Sequence, residues 1–296
     1  MTFIRETGKI LTNSYIIDAQ SWGIKYQNAV YFIMDKKNVL IDTGTSSDTR
    51  KINNYIKNNL HCSSIDYIII THNHLDHSGG LRYFLKKYNN IKIILSEKSK
   101  VLIEDINNLI KNKEYKSQII TVKEGDKLTL NLDHELQILD TPGHAPDHIS
   151  ILDLKNKFIF VGDSAGAYHI GKNFCRPTAY APDFEYIKYL KTLKRFIAMD
   201  INGIGIASYG FVMGYQCKKL LKFGLDIFIQ WFNLVKKYYN EGLEIDEIST
   251  KILKKFGRSP GEIKENRPES WIKQFLFASI QGFIGSIKKN SDEKKI

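Results

Sequence analysis

The sequence predicts a layered α/β fold of mixed α+β character, followed by a helical C-terminal region. Three observations carry the prediction. Short apolar, β-branched runs alternate with helical patterns through about the first hundred residues. From residue 119 one apolar run follows another, with turn signals between them. Beyond about residue 215 the apolar residues recur at the spacing of a helix face.

In chain order, residues 14–17 and 28–34 read as strands, and "NVLIDTG" (38–44) as a third that ends at Asp42 and Gly44. "TRKINNYIKNNL" reads as a helix, "IDYIIIT" (65–71) as a strand, "GGLRYFLKKY" as a helix and "IKIILS" (91–96) as a strand. The runs "IITVKEGDKLTL", "ELQILDTPGH" and "ISILDLKNKFIFVGD" supply the next strands, with Asn156 and Lys157 marking a hairpin turn. "DFEYIKYLKTLKRFIAMD" reads as a helix and "GIGIASY" as a short strand. In the last long segment Ile272, Phe275, Leu276, Ile280, Phe283, Ile284 and Ile287 share one helix face. The expected organisation is one domain over residues 1–214 and a helical region over 215–296, without repeats or a low-complexity linker.

With 296 residues, 43% of them apolar and 12% aromatic, the chain can bury a substantial core. Its net charge of +11 raises the question of a nucleic-acid partner. Lysine far outnumbers arginine, however, and is spread along the chain rather than gathered with aromatics on one face. The expectation is no nucleic acid, and attraction for an anionic small substrate. Three separated cysteines without a CxxC pair suggest neither a disulfide framework nor a thiolate metal site. The N-terminal residues lack an apolar signal core and no stretch reaches the length of a membrane span, so a cytoplasmic protein without a membrane role is expected.

Three polar clusters stand directly after predicted strands: the one at 72–77, "DTPGHAPDH" (140–148) and "VGDSAG" (161–166). His72, His74, Asp76 and His77 fall inside six positions, after an apolar run and before a Gly79–Gly80 turn. Imidazole and carboxylate together are the ligand set for zinc, iron or manganese, and a two-metal site needs about six to eight such groups. A tight loop at a strand end lets several side chains converge on one point. An exposed polar loop could collect such residues by chance, but the fully apolar strand leading in argues against that.

"THNHLDHSGG" resembles the THxHxDHxGG signature of the metallo-β-lactamase-fold hydrolases. "LIDTG" around Asp42, "TPGHAPDH" around His144 and "FVGDS" around Asp163 match in the same order, over roughly residues 10–212. Within that superfamily the chain is most similar to the glyoxalase II-like (hydroxyacylglutathione hydrolase-like) branch. The resemblance implies a four-layer αββα sandwich with metals at one edge of the two sheets. It implies that His72, His74 and His144 hold a first metal, that Asp76 and His77 serve a second, and that Asp163 bridges both. It makes Asp42 the carboxylate that orients ligand histidines without binding metal itself, and His148 a structural histidine.

The sequence departs from the family at one place. Dinuclear members carry a further histidine in a Gly-His-Gly context after the last strand, where this chain has "IASYGFVMG". Aligning Gly210 puts Tyr209 at that position, with Ser208 the alternative, and no histidine follows His169. Tyr209 would then bind the second metal as a phenolate or through a water, donate to a developing oxyanion, or pack at the pocket wall; alternatively the second site keeps only Asp76, His77 and Asp163 and is weak or empty. His169 is either a replacement imidazole or a surface-loop residue.

The activity the resemblance implies is a metal-dependent hydrolase of an acyl bond, thioester or ester, in a small substrate. A metal-bound hydroxide would attack the carbonyl, with Asp76 orienting it and the second metal or Tyr209 stabilising the charge. The expected cofactor is one or two divalent ions per chain, zinc first, then iron or manganese. Tyr168, Lys172 and Arg176 are candidates to grip an anionic substrate. The alternatives are a lactonase, a mononuclear iron persulfide dioxygenase needing only His72, His144 and Asp163, and a non-catalytic metal-binding regulatory module. The C-terminal helices, with Trp231, Tyr238, Tyr239 and Trp271, would line a substrate cleft or form a homodimer contact.

Overall fold

The computed structural model describes residues 3–11, 13–88, 90–111, 118–169, 174–256 and 269–292, with 169, 174, 269–272 and 290–292 described by their backbone alone. The chain forms two compact units. The first comprises Met1–Asp140, Asp147–Gly162 and Asp200–Cys217; the second comprises Thr141–Pro146, Asp163–Met199 and Lys218–Ile296.

The first unit holds two seven-stranded sheets. One runs β2 (Gly8–Leu11), β3 (Ser14–Asp18), β4 (Ala29–Ile33), β5 (Val39–Ile41), β6 (Tyr67–Ile69), β7 (Lys92–Ser96) and β8 (Gln118–Val122) in spatial order. The other runs β1 (Phe3–Ile4), β16 (Gly210–Met213), β15 (Gly203–Ile206), β12 (Phe158–Phe160), β11 (Ile149–Asp153), β10 (His134–Asp140) and β9 (Lys127–Asn131). β5 to β8 pair in parallel, as does β12 with β15, while the other pairs are antiparallel.

The period of two along a strand explains the layering. On β4 to β6, Tyr31, Ile33, Ile41 and Ile69 face a core shared with Leu136, Ile138, Ile151, Phe160 and Phe211 of the other sheet. The alternate residues Phe32, Leu40 and Ile68 face a second core. That core is closed by Ile52 of α1 (Thr49–Asn54), Ile56 of the π-helical turn Tyr55–Asn59, Phe84 and Leu85 of α3 (Leu81–Lys87), and Leu102 and Ile106 of α4 (Lys100–Lys111). A strand apolar on both faces is what a sheet buried on both sides requires, and it explains the unbroken apolar runs.

The second unit carries a hairpin of β13 (Ala167–His169) and β14 (Phe174–Arg176), then α5 (Tyr186–Ala198), all but the first two residues of α6 (Gln216–Asn240), α7 (Ile245–Phe256) and α8 (Glu269–Asp292). Its packing is aromatic: the Phe228 ring lies 4.6 Å from that of Tyr189, 5.1 Å from Tyr186 and 5.6 Å from Phe283. No helix among the described residues is long and apolar enough to cross a membrane.

The α/β expectation and the helical C-terminal region hold. The structure adds elements without a sequence signal of their own. β1 has two residues, and its partner β16 lies more than 200 positions away, at Phe3↔Val212 and Ile4↔Phe211. A pairing of that range leaves no local pattern to read.

Candidate metal centre

In the first unit, α2 (Leu75–Ser78) begins directly after His74, whose carbonyl accepts from the His77 and Ser78 amides at 2.9 Å each. This single turn folds His77 back toward the end of β6. Asp42, just beyond β5, receives it: His77 Nδ1 lies 2.7 Å from Asp42 Oδ2. Thr71 joins the pair, its amide donating to Asp42 Oδ1 at 2.8 Å and its hydroxyl to Oδ2 at 2.9 Å. Parallel pairing of β5 with β6 makes this possible, because it brings both strand ends to the same edge.

His72 Nε2 stands 2.9 Å from His74 Nδ1, and the His72 ring is 4.1 Å from that of His77. Asp76 Oδ2 lies 3.8 Å from His77 Nε2. His72 and His77 are fully buried, so water does not compete for their nitrogens. The first unit therefore contains a His/Asp cluster of the kind that holds a divalent metal. His148 stacks on His72 at 4.9 Å and packs beside Gly162, consistent with a structural part.

In the second unit, His144 Nδ1 is 2.6 Å from the Thr178 carbonyl. The Thr178 hydroxyl donates to the Asp163 carbonyl at 2.5 Å, and Asp163 Oδ2 lies 3.7 Å from His144 Nε2. Glycines precede both residues. Gly143 has φ +131° and Gly162 φ +50°, and a Cβ there would stand 2.3 Å from the Tyr189 nitrogen and 2.7 Å from His148 Nε2 respectively. The "PGH" and "GD" pairs thus meet a backbone need that only glycine meets without strain.

The hydrogen bonds fix the chemistry of the donors. A carbonyl only accepts, so His144 Nδ1 carries a proton, and the neutral ring then has its lone pair on Nε2. The carboxylate of Asp42 does the same for His77. Neutral histidines held in the Nε2-ligand tautomer by an outer acceptor are what a metal site requires. Thr71 and the Thr178 carbonyl are the members sequence reasoning missed. Thr71 stood inside the motif, whereas a backbone carbonyl has no side-chain signature.

Tyr209 has different company. It is buried in the core between the sheets, its hydroxyl donates to the Arg5 carbonyl at 2.5 Å, and its ring lies 5.4 Å from that of Tyr26. Burial pushes its phenol far above the ordinary range, which disfavours a phenolate. Tyr168 is buried with its hydroxyl on the Leu220 carbonyl at 3.4 Å. Arg176 donates to the Tyr180 hydroxyl at 2.7 Å and to Ser279 Oγ at 3.3 Å, with its guanidinium 4.9 Å from the Phe275 ring. Lys172 and the side chains of His169 and Trp271 lie outside the described residues. All three cysteines are buried, and burial pushes Cys175 up to about 12 and Cys217 to about 11, so neither offers a thiolate.

Residues 22–202 match the model of the metallo-beta-lactamase superfamily. The chain is 30% identical over 205 residues to the metallo-beta-lactamase fold-containing protein ST1585 of Sulfurisphaera tokodaii, covering 62% of this chain and 74% of that one. It is 33% identical over 153 residues to hydroxyacylglutathione hydrolase 1 of Vibrio vulnificus, covering 50% of this chain and 52% of the relative. It is 32% identical over 183 residues to the flavo-diiron protein FprA2 of Clostridium acetobutylicum, covering 61% of this chain and 43% of that one. The crystal structure of ST1585 superposes with a TM-score of 0.55 at 28% identity, covering 73% of this chain and 86% of that chain. A family-wide match over the strand ends that carry the histidines and carboxylates leaves one reading: the chain belongs to the metallo-beta-lactamase superfamily.

Proposed function

We propose that His72, His74, Asp76 and His77 of the first unit, and His144 and Asp163 of the second, are ligands for one or two divalent ions. On this reading the chain is a metal-dependent hydrolase of an acyl bond in a small substrate. The observation that carries it is the pair of tautomer-fixing bonds, His77 to Asp42 and His144 to the Thr178 carbonyl, each leaving Nε2 as a ligand atom.

Bound metal supplies Lewis acidity toward a carbonyl and lowers the pKa of water near it. The residues do the rest. Asp42 and Thr71 hold the His77 imidazole in place, and Asp76, partly exposed beside it, is the carboxylate positioned to orient the attacking water. Tyr209 stands where we place the family's last histidine; its hydroxyl has one proton, so it would enter the reaction only by leaving the Arg5 carbonyl. Arg176 supplies the positive charge in the second unit that suits an anionic group on the substrate.

A thioester is the first substrate to test, since a hydroxyacylglutathione hydrolase is among the relatives. Iron is the metal to set against zinc, given the similarity to a flavo-diiron protein. Elemental analysis of protein purified without added metal, paired with thioester and lactone hydrolysis, tests the proposal. The expected result is one or two zinc or manganese ions per chain and turnover abolished by His72→Ala. One iron with oxygen uptake on a persulfide, or full metal without any hydrolysis, would overturn it.

A further inference from the structure

A second charged cluster lies within the first unit, at the end of β10 away from the segment leading to His144. His134, fully buried, opens that strand. Its Nδ1 is 2.7 Å from Asp35 Oδ2. Its Nε2 is 3.2 Å from Asp153 Oδ1, an ion-pair contact at a poor angle for a hydrogen bond. Asp35 follows β4 in one sheet, while Asp153 ends β11 in the other. The Asn131 amide side chain also donates to Asp35 at 3.1 Å, and Asn156 gives Asp153 two bonds, at 2.9 Å from its backbone and 2.7 Å from its side chain.

A neutral imidazole has one N–H and satisfies one carboxylate, whereas an imidazolium has two. We propose that His134 is a pH-dependent latch between the two sheets, bridging Asp35 and Asp153 when protonated and releasing one of them when it loses its proton. The position suits the task. The contacts cross from sheet to sheet; His134 and Asp153 are fully buried, which shields their contact from salt and water, while Asp35 is partly exposed.

Burial by itself would push the His134 pKa down, but Asp153 and Asp35 more than offset it and hold the imidazole above its ordinary value. Burial would likewise raise the two carboxylates, yet their contacts with His134 and their other hydrogen bonds hold both below the usual range. The group raised on folding stabilises fully below the unfolded histidine value near 6.5 and loses that contribution as pH climbs through the folded value. The two lowered carboxylates contribute above 3.8 and lose their contribution as pH falls through their folded values. The latch is therefore tightest in weakly acidic solution. Of the other charges around it, Asp133 and Lys155 pair at 2.8 Å, which lowers the first and raises the second, so neither changes charge where His134 does. Glu135 is engaged with Lys127 at 2.9 Å.

Carbon-13 histidine NMR of the full chain, with His134 assigned by its loss in His134→Gln, reads the midpoint directly. A midpoint above 6.5 is expected, moving down in Asp35→Asn. Between pH 6 and pH 9 the melting temperature of the parent protein should fall by roughly 2–4 °C more than that of His134→Gln. A midpoint at or below the ordinary value, an unmoved midpoint in Asp35→Asn, or parallel melting profiles would overturn the latch.

Discussion

Asp42 shows how much one residue can be asked to do. Its backbone sits at φ +61°, a region that aspartate tolerates better than most side chains. That turn points the carboxylate back at Thr71 and His77, where it accepts the Thr71 amide and hydroxyl and the His77 imidazole. Asp42→Ala should weaken metal binding about 10- to 100-fold, read by competition with a chelator of known affinity. Asp42→Asn keeps the backbone preference and removes the charge, so a similar loss there would assign the effect to the carboxylate. The ligand candidates at 72–77 were legible in the sequence because they lie on one short loop. Tyr209 was not legible in the same way. Its hydroxyl partner is a backbone carbonyl 204 positions away, and no residue type announces that bond.

At the scale of elements, β6 is the platform for the histidine loop. Ile68 packs toward the helices and Ile69 toward the opposite sheet, both fully buried. Ile69→Ala should cost about 2–5 kcal/mol and Ile69→Val about 0.5–1.5 kcal/mol, measured by urea unfolding of the metal-loaded protein. Metal stoichiometry should survive the smaller change, because Thr71 and Asp42 hold the loop independently of that side chain. β4 to β7 and α5 could be read from their periodicity. β1, with two residues, and β13 with β14, three residues each, could not, since so short a run shows no period.

At the scale of the molecule, the proposed ligands come from three segments of the chain, 72–77, 144 and 163, and a metal that binds the folded chain but not the unfolded one stabilises the fold. At a free metal concentration 100 times Kd the gain is about 2.7 kcal/mol, so chelation should lower the melting temperature and readdition of metal should restore it. A melting temperature indifferent to both would count against the proposed ligands. The sequence by itself determined the fold class, the cluster at 72–77 and the superfamily. These follow from patterns that repeat every two or three to four residues, or that sit within one loop, where neighbours in sequence are neighbours in space. The tertiary structure alone decided which acceptor orients each histidine, where the Tyr209 hydroxyl goes, and that His134 stands between carboxylates of two different sheets. Each of those is a contact between residues far apart in the chain, and it forms only once strand pairing and core packing have set which ends share an edge.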